Sequence, residues 1–373
     1  AAAQGSLRGV APKMKKRGTL RKLVGGKGAK SKAAGRLRTS SRGSIVAMDK
    51  QMEAEEELMA VRGWELMAVC CTAFLPSRQL LKVLAAYLLA NSTPDSGRDV
   101  TAGRQAIQEL AAASLDSLQK MVRGQQHRRV GKRRLAPSLA EIRCIVQANP
   151  ILCRCETTDG QTKGVFADSH TTVREVFGAI VDRIKLRNVG GYGLFEVFQA
   201  GGVVRCRRLN ESDLLVDSMA SFERDVAKEK AARDVSLRFV LRRHAFWSEP
   251  KYEDAVELSL DYHQLSQAAH AGELPLATDS LARLEGLRMQ HDVGDYVAGA
   301  HYEVDRYVPA QVPKKEVASF QEMVLQAYQQ SSGKSKENVQ RAGLALIHGE
   351  CRVSQSTRFA VRAEVAAGGT DSL

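Results

Sequence analysis

The sequence predicts an α+β protein in which a helical unit is followed by a small mixed unit and then by a second helical unit. Apolar residues recur at helical spacing before Pro150 and again after Trp247. Short β-prone runs with turn residues between them occupy the middle. Hydrophobic residues make up 44% and charged residues 26% of the 373 residues, so a wholly disordered or fibrous chain is excluded.

The first helical unit is predicted to begin near Glu53. One apolar stripe is formed by Val61, Trp64, Ala68 and Cys71. Further helices are expected from about 78 to 90 and from about 101 to 122, each followed by turn residues or a basic run. Ser138 and Glu141 have the spacing of a capping box, which predicts a short fourth helix.

The middle unit is predicted to contain five strands and two helices. The strands are expected at Ile151–Cys155, Lys163–Ala167, Leu194–Phe198, Val203–Leu209 and Val235–Leu241. Asp159-Gly160 predicts a hairpin turn between the first two, and Thr172 with Glu175 predicts a capped amphipathic helix after them. With a short helix near residues 214–222, this order is that of the ubiquitin-like β-grasp fold.

The last unit is predicted to be a second helical bundle. Its helices are expected at Tyr252–Ala271, Thr278–Gln290, Lys314–Gln330 and Glu337–Ile347. The longest apolar stretch of the whole sequence, Val83 to Ala90, is far shorter than the roughly 20 residues of a membrane-spanning helix. No membrane span is therefore predicted.

The excess positive charge lies at the N-terminal end. The chain has 55 Lys and Arg against 42 Asp and Glu, and 13 of the basic residues but no acid lie in residues 1–44. Because that segment also lacks aromatic residues, residues 1–50 are predicted to be a disordered basic arm. Its candidate contacts are Lys13, Lys15, Lys16, Arg17, Arg21 and Lys22.

Charge alone does not select the partner of this arm. A polycation attracts acidic tubulin tails, anionic lipid and nucleic acid with little selectivity. A solvated linker and a transit peptide are further alternatives. The arm has neither an aromatic stacking residue nor a recognition helix, so specific nucleic-acid binding is not expected.

A second basic run is the best candidate site in the folded part. The candidate partner-binding residues are Arg123, Arg128, Arg129, Lys132, Arg133 and Arg134. Five cations in the seven residues 128–134 repel one another, and a negative partner would offset that repulsion. A solvated loop with no ligand is the alternative.

Catalysis and metal binding are not predicted. The seven cysteines form no C-x-x-C pair, which favours free thiols in a reducing compartment. Cys153 and Cys155 share a sheet face, but no second pair completes a zinc site. Gly333-Lys334-Ser335 lacks the earlier glycine of a phosphate loop, and no histidine lies in an H-E-x-x-H motif. The prediction is no catalytic residue, no metal and no cofactor.

Several strings resemble one known domain arrangement. Trp64-Glu65-Leu66-Met67, Phe74-Leu75-Pro76-Ser77 and residues 131–142 resemble the second half of a myosin tail homology 4 domain. Gly193-Leu194-Phe195-Glu196 and Arg306-Tyr307-Val308-Pro309 resemble parts of the FERM domain that usually follows it. The resemblance implies a helical domain at 51–148, a ubiquitin-like first lobe at 149–246, a helical, acyl-CoA-binding-protein-like second lobe at 247–348, and a truncated third lobe or tail at 349–373.

The resemblance implies a non-catalytic, cytoplasmic and cytoskeleton-associated tail module of an unconventional myosin. Its implied partners are microtubules or another acidic surface, the cytoplasmic tails of membrane proteins as cargo, and anionic lipid. The alternatives are the tail of a plant-type kinesin and a FERM adaptor without a motor. The first half of the helical domain and most of the third lobe are missing from this sequence, so we expect an exposed helical face and a fragment or imperfect gene model of a longer motor protein.

Overall fold

The computed structural model describes residues 41–94, 100–126, 133–200, 203–228, 235–245 and 251–351. The chain divides into two compact units, 1–55 and 56–373. In the first unit the described residues are helical. All six candidate contacts of the basic arm lie outside the described residues, so their prediction stays open.

The first helical domain contains four helices, α1 Ser41–Ala73, α2 Arg78–Ser92, α3 Ala102–Gln126 and α4 Leu139–Val146. The first of these begins about twelve residues before the predicted start near Glu53, because no Gly or Pro interrupts residues 44–53. The prediction of a disordered arm is therefore wrong for residues 41–50. The third helix extends to Gln126, so the predicted basic loop begins on a helix.

The core of this domain is small. Cys71, Leu88 and Leu118 are buried together, and the ring of Trp64 stacks on that of Tyr87 at 5.4 Å. Large apolar side chains nevertheless face solvent at Leu66, Phe74, Leu80, Val83, Tyr87 and Leu89. Leu80, Val83 and Tyr87 follow one another at helical spacing on α2, so these three exposed side chains share one helical face.

The middle lobe is a five-stranded sheet with two helices, which confirms the predicted β-grasp. Its elements are β1 Ile151–Thr157, β2 Thr162–Ala167, α5 Val173–Ile184, β3 Tyr192–Ala200, β4 Val203–Arg208, α6 Leu215–Lys228 and β5 Ser236–Arg243. The strand order is β2-β1-β5-β3-β4, in which β1 and β5 run parallel and the other neighbours antiparallel. Thr172 and Glu175 form the predicted capping box at the start of α5.

One face of the sheet forms the core of this lobe together with α5. Val176 and Ile180 of that helix are fully buried among inward-facing strand residues. Cys153 and Cys155 point into this core, with their sulfur atoms 3.6 Å apart and both thiols free. The hydrogen bond with Cys153 raises the pKa of the Cys155 thiol, and burial raises it further. This pair is apolar packing in the described part of the lobe.

The last lobe is a helical bundle of α7 Ala255–His270, α8 Thr278–Val293, α9 Val317–Gln330 and α10 Lys336–Glu350. Tyr262, Phe320 and Tyr328 are its largest fully buried side chains. A Cβ atom on Gly286 would come within 2.6 Å of the Cβ atom of Ala327, so glycine permits the close approach of α8 and α9. No helix in the described ranges is long and apolar enough to cross a bilayer.

A buried ionic cluster joins the β-grasp lobe to this bundle. Arg243, at the end of β5, binds the carboxylates of Glu257 and Asp261 on α7, the latter at 3.0 Å. The hydroxyl of Tyr192 donates to the same Asp261 oxygen at 2.6 Å. Burial raises the pKa of Asp261 to about 6, although Arg243 and Tyr192 oppose the shift. Two carboxylates thus share one buried guanidinium.

Candidate partner-binding surface

Three of the six candidate cations in the second basic run are described by the structure. Arg123 lies in the last turns of α3, and Arg133 and Arg134 precede α4. Arg128, Arg129 and Lys132 lie outside the described residues. The three described arginines have different environments, so they do not form one patch.

Arg133 is a structural residue, which corrects its assignment as a surface contact. Its side chain is only 9% exposed, and its guanidinium forms a two-armed ion pair with Glu141, which is fully buried. A buried carboxylate is costly unless it is paired, and Arg133 supplies the pairing. Arg133 also donates to the carbonyl oxygen of Leu135 at 2.8 Å. It is therefore not available to an external acidic surface.

The same ion pair alters the predicted capping box at α4. Ser138 accepts a hydrogen bond from the backbone N–H of Glu141 at 3.1 Å, as predicted. The Glu141 carboxylate binds Arg133, whereas a capping box would return it to the backbone of Ser138. Only one half of the reciprocal motif is formed, because the buried guanidinium is the stronger partner.

Arg134 docks the helical domain onto the β-grasp lobe. Its guanidinium binds Asp213 at 2.8 Å, and its backbone N–H donates to Asp217 of α6 at 3.1 Å. Glu223 of α6 accepts from the backbone N–H groups of Leu139 and Ala140, at 2.7 and 3.2 Å. A carboxylate at the N-terminus of α4 is also favoured by the helix dipole. Arg134 is therefore paired within the chain, although its side chain is 62% exposed.

Arg123 stands at the edge of a groove between the two domains. The groove has a volume of about 590 Å³ and is bordered by the C-terminal end of α3, by β2 and by α5. Its floor is mostly apolar and is formed by Met121, Val165, Val176, Ala179 and Leu214. The Arg123 side chain is exposed, and no ion pair to it occurs in the described part of the chain. An anionic group in the groove would therefore find an exposed guanidinium among its lining residues.

A second ionic contact closes one end of the groove. Lys120 of α3 bridges Asp116 on its own helix at 3.0 Å and Asp168 of the β-grasp lobe at 2.9 Å. The hydrogen bond to Asp168 raises the pKa of Lys120. Burial alone would raise the pKa of Asp168, but its hydrogen bonds from Lys120, His170 and Thr171 lower it. Lys120 is thus held by carboxylates within the chain.

His170 is a half-buried titratable group at this junction. Its Nε2 atom is buried and has no hydrogen-bond partner. Burial lowers the pKa of His170, and the attraction of Asp168 opposes that shift only in part. The ring is therefore held neutral, and its protonation would place a charge beside Lys120 and Arg133.

Sequence reasoning missed Lys120, Asp168 and His170. The spacing of Asp116 and Lys120 on one helix was visible. The contact with Asp168, 48 positions away, depends on how two domains pack. No pattern in the sequence identifies such a contact.

Three families match successive parts of the chain. A MyTH4 domain matches residues 45–144, an RA like domain residues 149–245, and a FERM central domain residues 248–347. The chain therefore contains a MyTH4 domain followed by lobes of a FERM domain, which is the domain order of a MyTH4–FERM module. This confirms the predicted family and fold class, whereas the predicted domain limits stay predictions.

The relatives of this MyTH4–FERM module include myosins. The Myosin-I heavy chain of Dictyostelium discoideum is 28% identical over 244 residues, which cover 63% of this chain and 10% of that protein. The MyTH4-FERM MF1 domain of Dictyostelium discoideum Myosin VII has a TM-score of 0.62 at 25% identity, over 77% of this chain and 56% of that one. The chain spans about a tenth of the length of the curated myosins it matches.

A further solved structure shares the fold. The C-terminal MyTH4-FERM domain of human Myosin 7b, in complex with the PDZ3 domain of harmonin-a, has a TM-score of 0.57. It is 20% identical, and the match covers 77% of this chain and 56% of that one. That relative therefore binds a partner protein through a module of this kind.

Proposed function

We propose that this MyTH4–FERM module is the non-catalytic tail of an unconventional myosin-like motor in the cytoplasm, where it attaches cargo to the cytoskeleton. Cytoplasmic tails of membrane proteins bind the FERM lobes as cargo. Arg123 and its sequence neighbours Arg128, Arg129 and Lys132 contact the acidic surface of microtubules. The observation that carries this proposal is the exposed Arg123 at the groove between the helical domain and the β-grasp lobe.

The compensation of the neighbouring charges supports the role of Arg123. Lys120, Arg133 and Arg134 each bind a carboxylate of the same chain. Their attraction to an outside acid is therefore weakened. Arg123 is exposed without such a carboxylate in the described ranges, so an external carboxylate would interact with it at little desolvation cost.

The contacts between the helical domain and the β-grasp lobe support the proposed binding to microtubules. Carboxylates of the β-grasp lobe bind Lys120, Arg134 and the start of α4, so the helical domain presents Arg123 from a fixed position. A contact on a fixed helix loses less conformational entropy on binding than one on a flexible loop does. The basic arm adds long-range attraction that falls with salt.

Co-sedimentation with microtubules tests the proposal on the full chain. We expect Arg123→Glu combined with Arg128→Glu and Arg129→Glu to weaken binding at least about tenfold, because three charge reversals replace attraction by repulsion. The matched control is Arg183→Glu, an exposed arginine of α5, which should bind as the unchanged chain does. Deletion of residues 1–40 should mainly reduce binding at low salt.

Two results would refute the microtubule contact. One is unchanged binding by the triple variant. The other is equal loss in the Arg183→Glu control, which would mean that net charge alone is measured. Vesicles of phosphatidylserine and phosphatidylcholine, assayed with the same variants, separate anionic lipid from microtubules as the partner. Neighbouring coding sequence discriminates the myosin parent from a plant-type kinesin or a motor-free FERM adaptor.

A further inference from the structure

The outer face of the β-grasp sheet carries no helix in the described part of the lobe. Residues that alternate with the buried ones point outward along each strand. Three of them are large, apolar and exposed: Leu152 at 50%, Phe166 at 66% and Val204 at 59%. Leu152 and Phe166 lie directly opposite each other on β1 and β2, so they form one contiguous apolar surface.

This outer face is also rich in arginine. Its arginines are Arg154, Arg208, Arg238 and Arg242, one or two from each of β1, β4 and β5. Its acidic residue is Glu156, which binds Arg238 at 2.9 Å. No lysine side chain points to this side among the described strand residues. The face thus carries three net positive charges beside apolar side chains.

Two of these arginines are exposed and open to a partner. Arg154 and Arg208 have no ion pair in the described part of the chain, and both are solvent-exposed. Arg242 lies over the ring of Phe195 at 5.8 Å and contacts the sulfur of Cys206 at 3.7 Å. Arg154 and Arg208 therefore supply the charge for binding, while Arg242 covers the aromatic ring.

The spacing of the two exposed arginines fits one α-helix. Strands β1 and β4 are separated by three strand intervals, which places their axes about 14 Å apart. Arg208, Phe195, Val240 and Glu156 form one row across these strands, and Arg154 lies two residues from Glu156 along β1. A helix with side chains is about 10–12 Å wide, so its flanking carboxylates would reach both arginines while its apolar stripe contacts Val240 between them. Leu152 on β1 and Phe166 on β2 lie at the border of this span.

We propose that the outer face of the β-grasp sheet binds an acidic amphipathic helix of a partner protein. Guanidinium groups pair with carboxylates in two-armed geometry, and arginine is enriched at protein interfaces whereas lysine is depleted. Single-stranded nucleic acid stacks successive bases on several aromatic rings, whereas this face exposes the ring of Phe166 and covers that of Phe195 with Arg242. An anionic bilayer offers no ordered carboxylates. This surface borders the groove at Arg123 through Phe166, whereas Arg154 and Arg208 do not line that groove.

Fluorescence anisotropy tests the proposal on the full chain. The probe is a labelled 18-residue helical peptide with leucines along one stripe and glutamates on both flanks. We expect Arg154→Glu with Arg208→Glu to weaken binding at least tenfold. The control, Arg183→Glu with Arg187→Glu on the helical side of the lobe, should leave it unchanged. A peptide with glutamine in place of glutamate should bind at least tenfold more weakly than the acidic probe.

Alkylation of Cys206 locates the bound peptide. This thiol is exposed on β4 of the same face. In a Cys70→Ser background, which removes the other exposed cysteine, we expect the acidic peptide to slow alkylation of Cys206 at least fivefold. Undiminished binding by the Arg154→Glu, Arg208→Glu variant, or alkylation unaffected by peptide, would overturn the proposal.

Two further probes distinguish the other partner classes. Phosphatidylserine vesicles and poly(U) RNA should bind the Arg154→Glu, Arg208→Glu variant as they bind the unchanged chain. Loss of either interaction, together with binding of the peptide no tighter than its glutamine form, would assign the face to lipid or RNA. The microtubule assay with Arg123→Glu is independent, so the two proposals fail separately.

Discussion

The two junctions of the β-grasp lobe differ in whether their ion pairs are exposed or buried. The junction with the first helical domain relies on partly exposed pairs such as Lys120–Asp168 and Arg134–Asp213. The junction with the helical bundle buries Arg243 between Glu257 and Asp261. Exposed pairs are weak and screened by salt, whereas breaking a buried pair leaves an uncompensated charge. The two junctions should therefore respond differently to mutation, salt and pH.

The largest effect is expected at the buried junction. Arg243→Ala should lower the free energy of unfolding by about 4 kcal/mol, because two buried carboxylates lose their shared partner. Arg238→Ala, which breaks an exposed pair on the same strand, is the control and should cost less than about 1 kcal/mol. Urea denaturation followed by circular dichroism measures both. Equal costs would remove the distinction between the junctions.

Arg133→Ala should be nearly as damaging, although it lies beside the exposed junction. We expect a loss of about 3 kcal/mol, since Glu141 would be left buried without its ion pair. Arg133→Ala combined with Glu141→Gln should recover part of the loss, because a neutral amide costs less to bury. Urea denaturation followed by circular dichroism measures the free energy of unfolding of both variants. No recovery in the double variant would mean that lost packing, not charge, caused the damage.

Acidification should favour the buried junction through Asp261. Its pKa is raised to about 6 in the fold, so the protonated form is favoured there relative to the unfolded chain. From pH 7 to pH 5 the folded state gains a proton that the unfolded state does not, which adds about 1 kcal/mol of stability. Asp261→Asn should lose this contribution. We would measure it as the difference between the two pH profiles of urea unfolding, and parallel profiles would contradict it.

Added salt should weaken the ion pairs of the exposed junction. Lys120→Ala should cost about 0.5 kcal/mol at low ionic strength, and the cost should shrink at 1 M NaCl because the pair with Asp168 is screened. Chemical denaturation at both salt concentrations measures the change. Arg183→Ala, an exposed arginine of α5, is the control for general charge effects. A cost that does not depend on salt would argue against an electrostatic contact.

The smallest effect has the opposite sign from that of Asp261. Burial lowers the pKa of His170 below its value in the unfolded chain, so stability is fully present above about pH 6.5 and is lost as the pH falls from there through the lower pKa of the folded state. His170→Gln should flatten this part of the profile. Thermal unfolding between pH 7.5 and pH 5.5 tests it. A steeper loss of stability with falling pH in His170→Gln than in the unchanged chain would contradict the assignment of this pH dependence to His170.

The sequence was sufficient for elements whose determinants are local. Thr172 and Glu175 formed the expected capping box because both partners lie within one turn. The five strands were found from their alternation, with limits wrong by only a few residues. The start of α1 was missed, because the basic composition before it suggested disorder while the helix needs only an unbroken run of helix-compatible residues.

The candidate site could not be predicted to the same extent. Arg133 and Arg134 looked equivalent to Arg123 in sequence, and only packing shows that they bind Glu141 and Asp213. The buried cluster at Asp261 likewise joins a strand end to a helix 18 residues further on. Charge runs give the number of cations, but the tertiary fold decides which of them remain for a partner.

The parallel pairing of β1 with β5 has a consequence for synthesis on the ribosome. The first strand of the lobe is completed at Thr157, yet its neighbour in the sheet ends only at Arg243. A nascent chain must therefore translate some 85 further residues, at about 5–20 per second, before the sheet can close. During those seconds the hairpin of β1 and β2 presents an unpaired edge, the kind of surface through which partly folded chains associate.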